Sequence, residues 1–402
     1  MASWTDKFTL SRTLKIWSIF FVLFIVSCKA ELTGEDLKNI EALNVQKMLQ
    51  HQIKGDAKDQ IRKGKRIFVN ETTPDERNVH PYMRKGIIRE VLQFYSKYRE
   101  MIFVRGGTFW RGTNDPQSKT GEYPLRKVTV KNFYLDANPV INAAYWAFRK
   151  AKKFFITDAE KKGWSWVVDM FLSDETREYY SMPGTRGWAA VKNADWNAPE
   201  GPDSNLEDRW NHPVVHVSWY DAKMFCEFHG KRLPSEAEWE YAVKIGVTSH
   251  AYPWGDNWER RRANVWQGKW PTENKKIDGY SITSPVDAYR PQNLVGFYDM
   301  IGNVWEWTSS AYVERSVQPH SKMVVLKGGS YVDSVSGEIN YPVRNGQRIG
   351  QKQDYTAANV GFRCAKTMPE YVPLPQATES PVVQKLKKMK RRKFHRRRKD
   401  EL

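Results

Sequence analysis

The pattern of apolar and polar residues predicts that a compact domain begins near residue 101 with short strands. Residues 101–113 hold an apolar run that is broken at Gly106 and Gly107, as in a strand interrupted by a bend. Residues 126–136 alternate apolar and polar side chains, which is typical of a half-buried strand. We therefore expect strands in both segments.

Three later segments have the apolar spacing and the end signals of helices. The first covers residues 141–153, and the second, 218–229, opens with Ser218 as a predicted N-cap. The third covers residues 233–246 and begins with a Ser-x-x-Glu capping box. We expect these helices to belong to the same domain as the strands.

The regions on either side of these helices are harder to assign to regular elements. Residues 34–66 predict a loose helix and residues 84–100 a clearer amphipathic one, so residues 31–100 form a predicted helical extension. Residues 247–366 are rich in Gly, Asn, Asp, Pro and Trp and have few periodic runs. Metal ions or disulfides usually brace so much irregular backbone in a compact domain.

Composition adds a strongly basic C-terminus to this picture. The chain has 402 residues, of which 40% are hydrophobic and 27% charged, an ordinary globular mixture. Its net charge is +18, and residues 385–402 contain eleven Lys and Arg against two acids. This tail, which follows a Pro-containing linker, predicts either a solvated segment or a site for an acidic or sulfated polyanion.

The N-terminus has the features of an export signal. Basic residues precede an apolar run at 16–27, and small residues then predict cleavage after Ala30. The run is too short for a stable membrane span. Cys28 would also suit a bacterial lipoprotein signal, an alternative that the other end of the chain argues against.

The last four residues form the retrieval signal of the endoplasmic reticulum. They are Lys399, Asp400, Glu401 and Leu402. Asn70 begins a triplet for N-glycosylation, which suits the same compartment. These features together predict a protein of the endoplasmic reticulum lumen, where nucleic acid is not an expected partner.

The cysteines favour a structural role. Of the three in the chain, only Cys226 and Cys364 remain after removal of the signal. Two cysteines in an oxidising compartment usually pair, and a disulfide that closes so long a loop stabilises a fold by about 4–5 kcal/mol in the chain-entropy account. A catalytic role for these thiols is the weaker alternative.

Six motifs, in order, resemble the sulfatase-modifying, formylglycine-generating enzyme family. They are HPVVHVSWYDAKMFCEFHGKRLPSEAEWEYA (212–242), YPWGDNW (252–258), NVWQGKWP (264–271), GFYDMIGNVWEWT (296–308), KGGSY (327–331) and NVGFRCA (359–365). Residues 157–175 and 196–206 are similar to the animal, secretory-pathway branch. The resemblance implies a mixed α/β fold with little regular secondary structure, related to C-type-lectin-like domains.

The resemblance also implies what this chain lacks. Active members use two cysteines after the Gly-Gly-Ser-Tyr motif to bind copper(I) and to oxidise a sulfatase cysteine to formylglycine with oxygen. The resemblance places Asp333 and Glu338 at these two positions and Ser330 at the wall of the site, whereas Cys226 and Cys364 match a structural disulfide. Copper(I) selects soft sulfur ligands, so we expect neither copper nor the oxidase reaction. In this the chain resembles the animal branch that lacks both thiols.

Calcium is the cofactor that the resemblance implies, with two structural sites. Calcium prefers six to eight oxygen ligands. The first site would use the side chains of Asn264 and Asp278 and the carbonyls of Val265 and Tyr280. The second would use the side chains of Asp299 and Glu306, the carbonyls of Gly302 and Val304, and Asn303 as a further candidate.

Several other residues have structural interpretations that outweigh functional ones. His212 and His216 could suggest a metal, but a pair without further ligands favours hydrogen-bonded structural histidines. Trp305 and Trp307 are predicted core residues rather than a carbohydrate platform. Ser330 lacks the Gly-x-Ser-x-Gly turn of a serine nucleophile.

Three functions follow as hypotheses. The leading one is a non-catalytic luminal protein that binds sulfatases, the active enzyme or both, and modulates formylglycine formation. The second is an enzyme with altered chemistry at Ser330, Asp333 and Glu338, and the third is a polyanion-binding protein that acts through its tail. A homodimer or heterodimer is compatible with each. The predicted organisation is a signal at 1–30, the extension at 31–100, the family domain at 101–366, and the linker and tail at 367–402.

Overall fold

The computed structural model describes residues 93–94, 96–116, 118, 120–245, 250–313 and 322–368. All of them belong to the compact unit that begins at Ile87. The predicted signal, Asn70, the helix at 34–66, the basic tail and the retrieval signal lie outside the described residues. Of the predicted helix at 84–100, residues 93–94 and 96–97 are described and helical.

The described part of the chain forms short strands and short helices. The strands are β1 (Met101–Val104), β2 (Gly107–Arg111), β3 (Arg126–Val130), β4 (Phe133–Asp136), β5 (Trp164–Val168), β6 (Ser181–Pro183), β7 (Trp188–Lys192), β8 (Trp305–Ala311), β9 (Met323–Lys327), β10 (Arg348–Lys352), β11 (Val360–Gly361) and β12 (Ala365–Thr367). The helices are α1 (Asn142–Ala151), α2 (Asp158–Lys162), α3 (Asp174–Tyr179), α4 (Trp219–Phe228) and α5 (Glu236–Val243), with a 3₁₀ turn at Asp169–Phe171.

These strands make four small sheets. Their orders are β1-β4-β12, β10-β9-β8-β11, β2-β3 and β5-β7-β6. All pairs are antiparallel except β8 with β11. No helix or strand lies between Val243 and Trp305 among the described residues there. The mixed α/β class with little regular secondary structure is therefore confirmed.

The predicted strand at 126–136 is two strands in different sheets. β3 pairs with β2, whereas β4 pairs with β1 and β12. The segment that joins β1 to β2 and the segment that joins β3 to β4 change sheets at the same place, where the Gly106 N–H donates to Asn132 Oδ1 over 2.8 Å. A Cβ at Gly106 would lie 2.4 Å from the Val130 carbonyl oxygen, so this crossing requires glycine.

Local end signals were the more reliable part of the helix predictions. Ser218 and Ser235 both cap helices through complete capping boxes, with Asp221 and Glu238 as the reciprocal partners. Helix α5 ends at Val243, with Lys244 as its C-cap, and Gly246 lies outside the described residues. Helices α2 and α3 and the β5-β7-β6 sheet were not predicted, because these elements are too short to show a clear period.

A buried cluster and one disulfide join elements that are far apart in the sequence. Trp239 on α5 is fully buried and belongs to a cluster that includes Val104, Phe109 and Phe133 from the N-terminal strands. Cys226 on α4 is bonded to Cys364, just before β12, across a separation of 138 residues. The predicted disulfide is thus confirmed, and it fastens the end of the domain to α4.

Candidate functional site

The floor of the candidate site is a tight turn after β9. The Ser330 hydroxyl donates to Asp333 Oδ2 over 2.6 Å, and the Ser330 N–H donates to the same oxygen over 2.8 Å. The Tyr341 N–H donates to the other carboxyl oxygen over 3.2 Å. The Asn359 side chain donates to the Ser330 hydroxyl over 3.0 Å. One carboxyl group therefore organises the turn.

Burial controls the charge of this carboxyl group. Ser330 and Asp333 are 0% and 1% exposed, respectively. Burial raises the pKa of Asp333 to about 7, although hydrogen bonds from Ser330, Tyr341 and Trp305 oppose that shift. A carboxyl in this position offers hard oxygen and is enclosed by protein donors. It gives copper(I) no soft ligand.

Glu338 lies in a different environment from Asp333. It is exposed, and its N–H donates to Ser336 Oγ over 3.3 Å. The two positions implied for the family thiols are thus one buried acid and one surface acid. Among the described contacts, no hydrogen bond or ion pair joins them. The arrangement lacks the paired carboxyls that an acid/base reaction would use.

Three aromatic residues and one arginine form a linked group that meets this turn at Tyr341. The Tyr341 ring packs edge-on against Trp305 at 5.8 Å, and Tyr341 remains 39% exposed. Arg186 is exposed and close enough to affect the ionisation of Tyr341. The Trp270 indole N–H donates to the Arg186 carbonyl over 2.7 Å, and the Trp270 ring lies 6.4 Å from that of Trp188. We call Arg186, Trp188, Trp270 and Tyr341 the aromatic mouth.

Sequence reasoning missed three contributors to the site. Asn359 and Tyr341 hold the floor, and Arg186 reaches the mouth from the loop before β7. Asn359 could have been found, because it opens one of the six motifs. No local signal could have connected Arg186 to a turn that follows it by more than a hundred residues.

The two histidines have structural partners, as predicted. His216 Nε2 donates to the Pro199 carbonyl over 2.8 Å, and His216 Nδ1 lies 2.7 Å from Ser165 Oγ. His212 Nδ1 lies 3.0 Å from Thr283 Oγ1. Burial lowers the pKa of each to about 4, so both are neutral near pH 7. Trp305 and Trp307 are buried core residues.

The first predicted calcium set has an unused ligand atom. Asn264 is 1% exposed, and its Oδ1 is buried without a hydrogen-bond partner among the described residues. Its Nδ2 donates to the Ile282 carbonyl over 2.7 Å, which fixes the amide. Asp278 accepts from the Val265 N–H over 2.9 Å, so the two side chains approach the same backbone. These residues fit an oxygen-coordinated cation.

The second predicted calcium set contains a carboxylate whose two oxygens are both occupied by protein donors. Glu306 accepts from Arg363 through both oxygens, at 2.7 and 2.8 Å, and from the Trp239 indole at 2.8 Å. Asp299 accepts from Asn303 Nδ2 over 2.8 Å, and burial raises its pKa to about 7. In the first set, Asp278 likewise accepts from the N–H groups of Val265 and Tyr280 and from Gln267 Nε2, so both sites remain predictions. No cluster of three His, Cys, Asp or Glu suited to a metal occurs in the described ranges.

The described residues include no helix that is long and apolar enough to cross a membrane.

Comparison with known proteins places this geometry in a family. The chain is 44% identical over 269 residues to the mouse protein named inactive C-alpha-formylglycine-generating enzyme 2, covering 66% of this chain and 85% of that one. It is 43% identical over 281 residues to mouse formylglycine-generating enzyme, covering 66% and 74%. The chain is almost equally identical to the inactive protein and to the active enzyme. The overall identity therefore does not decide whether the chain is active, and that question depends on the site residues.

A solved structure and a family domain complete the comparison. The structure of PvdO from Pseudomonas aeruginosa is 23% identical, covers 67% of this chain and 95% of its own, and has a TM-score of 0.47. Residues 89–368 match the sulfatase-modifying factor enzyme 1-like domain, which is more than half of the chain. The chain belongs to this sulfatase-modifying factor family.

Proposed function

We propose that the protein is a non-catalytic member of the family that binds an extended sulfatase segment at the aromatic mouth. The observation that carries the proposal is the contrast between floor and mouth. The floor has a buried Ser330–Asp333 hydrogen bond, whereas the mouth has the exposed Tyr341 and Arg186 beside two half-buried tryptophans. Trp, Tyr and Arg are the residues that most often dominate binding energy at protein interfaces.

The number and the pairing of the cysteines support the same proposal. The chain has cysteines only at 28, 226 and 364, and the last two are joined to each other. No thiol is therefore left in the described domain to bind copper(I) or to form a mixed disulfide with a substrate cysteine. A protein of this kind would modulate formylglycine formation by holding sulfatases or the active enzyme.

We place this function in the endoplasmic reticulum lumen, on the basis of the export-signal pattern and the residues Lys399 to Leu402. We also propose structural calcium at Asn264, Val265, Asp278 and Tyr280. That ion would neutralise the buried Asp278 and brace the irregular segment that leads to the mouth. It would supply no chemistry at Asp333.

Fluorescence anisotropy with a labelled peptide tests the binding proposal. The peptide carries the sulfatase sequence Cys-x-Pro-x-Arg, and the full-length protein is compared with Tyr341→Ser and Arg186→Ser. We expect each variant to weaken binding about thirtyfold or more, the range in which interface hot spots fall. Tyr179→Ser is the control, because Tyr179 is 69% exposed on α3. Equal affinity for all four proteins, or no binding, would refute the proposed mouth.

The altered-enzyme hypothesis has less support, since Asp333 and Glu338 lie in such different environments. The polyanion hypothesis concerns the tail outside the described residues, and deletion of residues 385–399 would test it. Loss of heparin binding without loss of peptide binding would separate that function from the mouth.

A further inference from the structure

Helix α4 presents an apolar stripe on the side that faces away from the core. Tyr220, Met224 and Phe228 are 49%, 37% and 43% exposed, and their spacing of four residues puts them on one face. Phe225 and Cys226 on the opposite face are buried. We call Tyr220, Met224 and Phe228 the α4 stripe.

The C-terminal end of the domain is fastened beside this helix. The Cys226–Cys364 disulfide brings the two α-carbons to 5.7 Å. Arg232 and Ala365 then exchange backbone hydrogen bonds of 2.8 and 2.7 Å as an antiparallel bridge. Arg232 Nε also donates to Thr367 Oγ1 over 2.7 Å. Because the bridge is antiparallel, the chain at Thr367 runs back toward the end of α4.

The residues that follow Thr367 have a composition suited to binding this stripe. Residues 370–375 read Glu-Tyr-Val-Pro-Leu-Pro, with three apolar side chains and two prolines. Prolines spaced in this way favour the extended polyproline conformation, which loses little entropy on docking against aromatic and apolar surfaces. We call residues 370–375 the EYVPLP segment.

Charge also matches the two surfaces. Residues 368–384 contain Glu370 and Glu379 but no Lys or Arg. Lysines lie beside the stripe, because Lys152 Nζ is 5.6 Å from the centre of the Phe228 ring and Lys223 Nζ is 5.4 Å from that of Trp219. Lys223 also pairs with Glu227 at 3.7 Å, so the attraction for an acidic apolar segment rests mainly on Lys152.

The distances allow the contact. Helix α4 has ten residues and is about 15 Å long. The seven residues that follow Thr367, up to Leu374, span about 22 Å in the polyproline conformation. The segment is thus long enough to span the stripe from Phe228 to Tyr220.

We propose that the EYVPLP segment docks on the α4 stripe of its own chain. The contact covers apolar surface that would otherwise be exposed to solvent. It also holds the basic run at a fixed distance from the domain. The proposal is independent of peptide binding at the aromatic mouth.

Oxidation of Met224 by dilute hydrogen peroxide tests the contact, because methionine reacts according to its exposure. The sulfoxide is quantified by peptide mass spectrometry in the full-length protein. The variant Tyr371→Ser with Leu374→Asp removes the two largest apolar side chains of the segment. The matched control, Val382→Ser with Val383→Asp, makes the same kinds of change further along the tail. Met182, which is 70% exposed on β6, is an internal standard in each sample.

We expect Met224 to react about threefold or more faster in the segment variant than in the wild type and the control, since only the uncovered fraction of molecules reacts. Met182 should react equally in all three. Equal Met224 rates in all three proteins would overturn the proposal. Protection that disappears on tenfold dilution would also overturn it, because a second copy would then be the occupant.

Discussion

The Ser330 hydroxyl donates a 2.6 Å hydrogen bond to Asp333, and neither side chain reaches the surface. The carboxyl thus makes a structural contact inside the turn. The Asn359 side chain donates in turn to the Ser330 hydroxyl, so Asp333 and Asn359 together hold the turn.

Asp333 should make stability depend on pH. Burial raises its folded pKa to about 7, above its usual value of 3.8. The folded state therefore holds a proton that the unfolded state releases, and the stability that Asp333 contributes falls between about pH 4 and pH 7 by up to about 1.4 kcal/mol per pH unit. Asp333→Asn removes this part of the decline.

Thermal unfolding from pH 4 to pH 8 measures this effect. We expect Asp333→Asn to gain stability relative to the wild type as the pH rises. Glu338→Gln, the same chemical change on the surface, is the control and should follow the wild type. Parallel wild-type and Asp333→Asn curves would contradict the assignment. Burial also raises the pKa values of Asp221 and Asp299 to about 7. The stability of the variant should therefore still decline to some extent as the pH rises.

The ion pair between Arg363 and Glu306 should be a major source of stability. Both side chains are almost fully buried, and Arg363 also donates to the carbonyls of Asp136, Ala137 and Tyr298. Glu306→Gln leaves a buried guanidinium without its counter-charge, so we expect a loss of about 3–5 kcal/mol in the free energy of unfolding. Urea denaturation measures the loss.

An exposed pair provides the comparison. Arg290 and Glu259 form a 2.6 Å ion pair in which both side chains are largely exposed, at 67% and 44%. Glu259→Gln should change stability by less than about 1 kcal/mol, as surface pairs usually do. Equal effects of the two substitutions would mean that burial does not govern the Arg363 pair.

The disulfide should contribute through the long loop that it closes. Replacing both Cys226 and Cys364 by Ser should lower the free energy of unfolding by about 2–5 kcal/mol. Guanidinium denaturation with and without reductant is the measurement. The reductant should destabilise the wild type and leave the double variant unchanged, and any other pattern would show that the bond is not stabilising.

Calcium should stabilise the domain through the first ligand set. Asn264 Oδ1 is a buried acceptor that lacks a partner among the described residues, so an ion would satisfy it. Chelation should lower the melting temperature of the wild type, and Asp278→Asn should remove this response. Asp256→Asn, an exposed loop acid that contacts His250, is the control and should keep it. A wild type that chelator does not affect would refute the calcium proposal.

The sequence predicted contacts that are local and missed those that join distant segments. The capping boxes at Ser218 and Ser235 depend on residues three apart, so they were visible in the chain. The division of residues 126–136 between two sheets depends on Gly106, and the partner of Glu306 lies 57 residues away. Contacts between residues so far apart in the sequence become visible only in the folded structure. The family motifs compensated in part, since they marked Ser330 and Asp333, but they did not indicate that Glu338 would lie on the surface.

The most direct test of the central claim is the reaction itself. The purified protein is incubated with copper, oxygen, a thiol reductant and a peptide that carries Cys-x-Pro-x-Arg, and mass spectrometry follows the peptide cysteine. An active family member serves as the positive control. We predict that the peptide binds but keeps its cysteine at the level of the protein-free control. Conversion to formylglycine above that level would contradict the non-catalytic assignment.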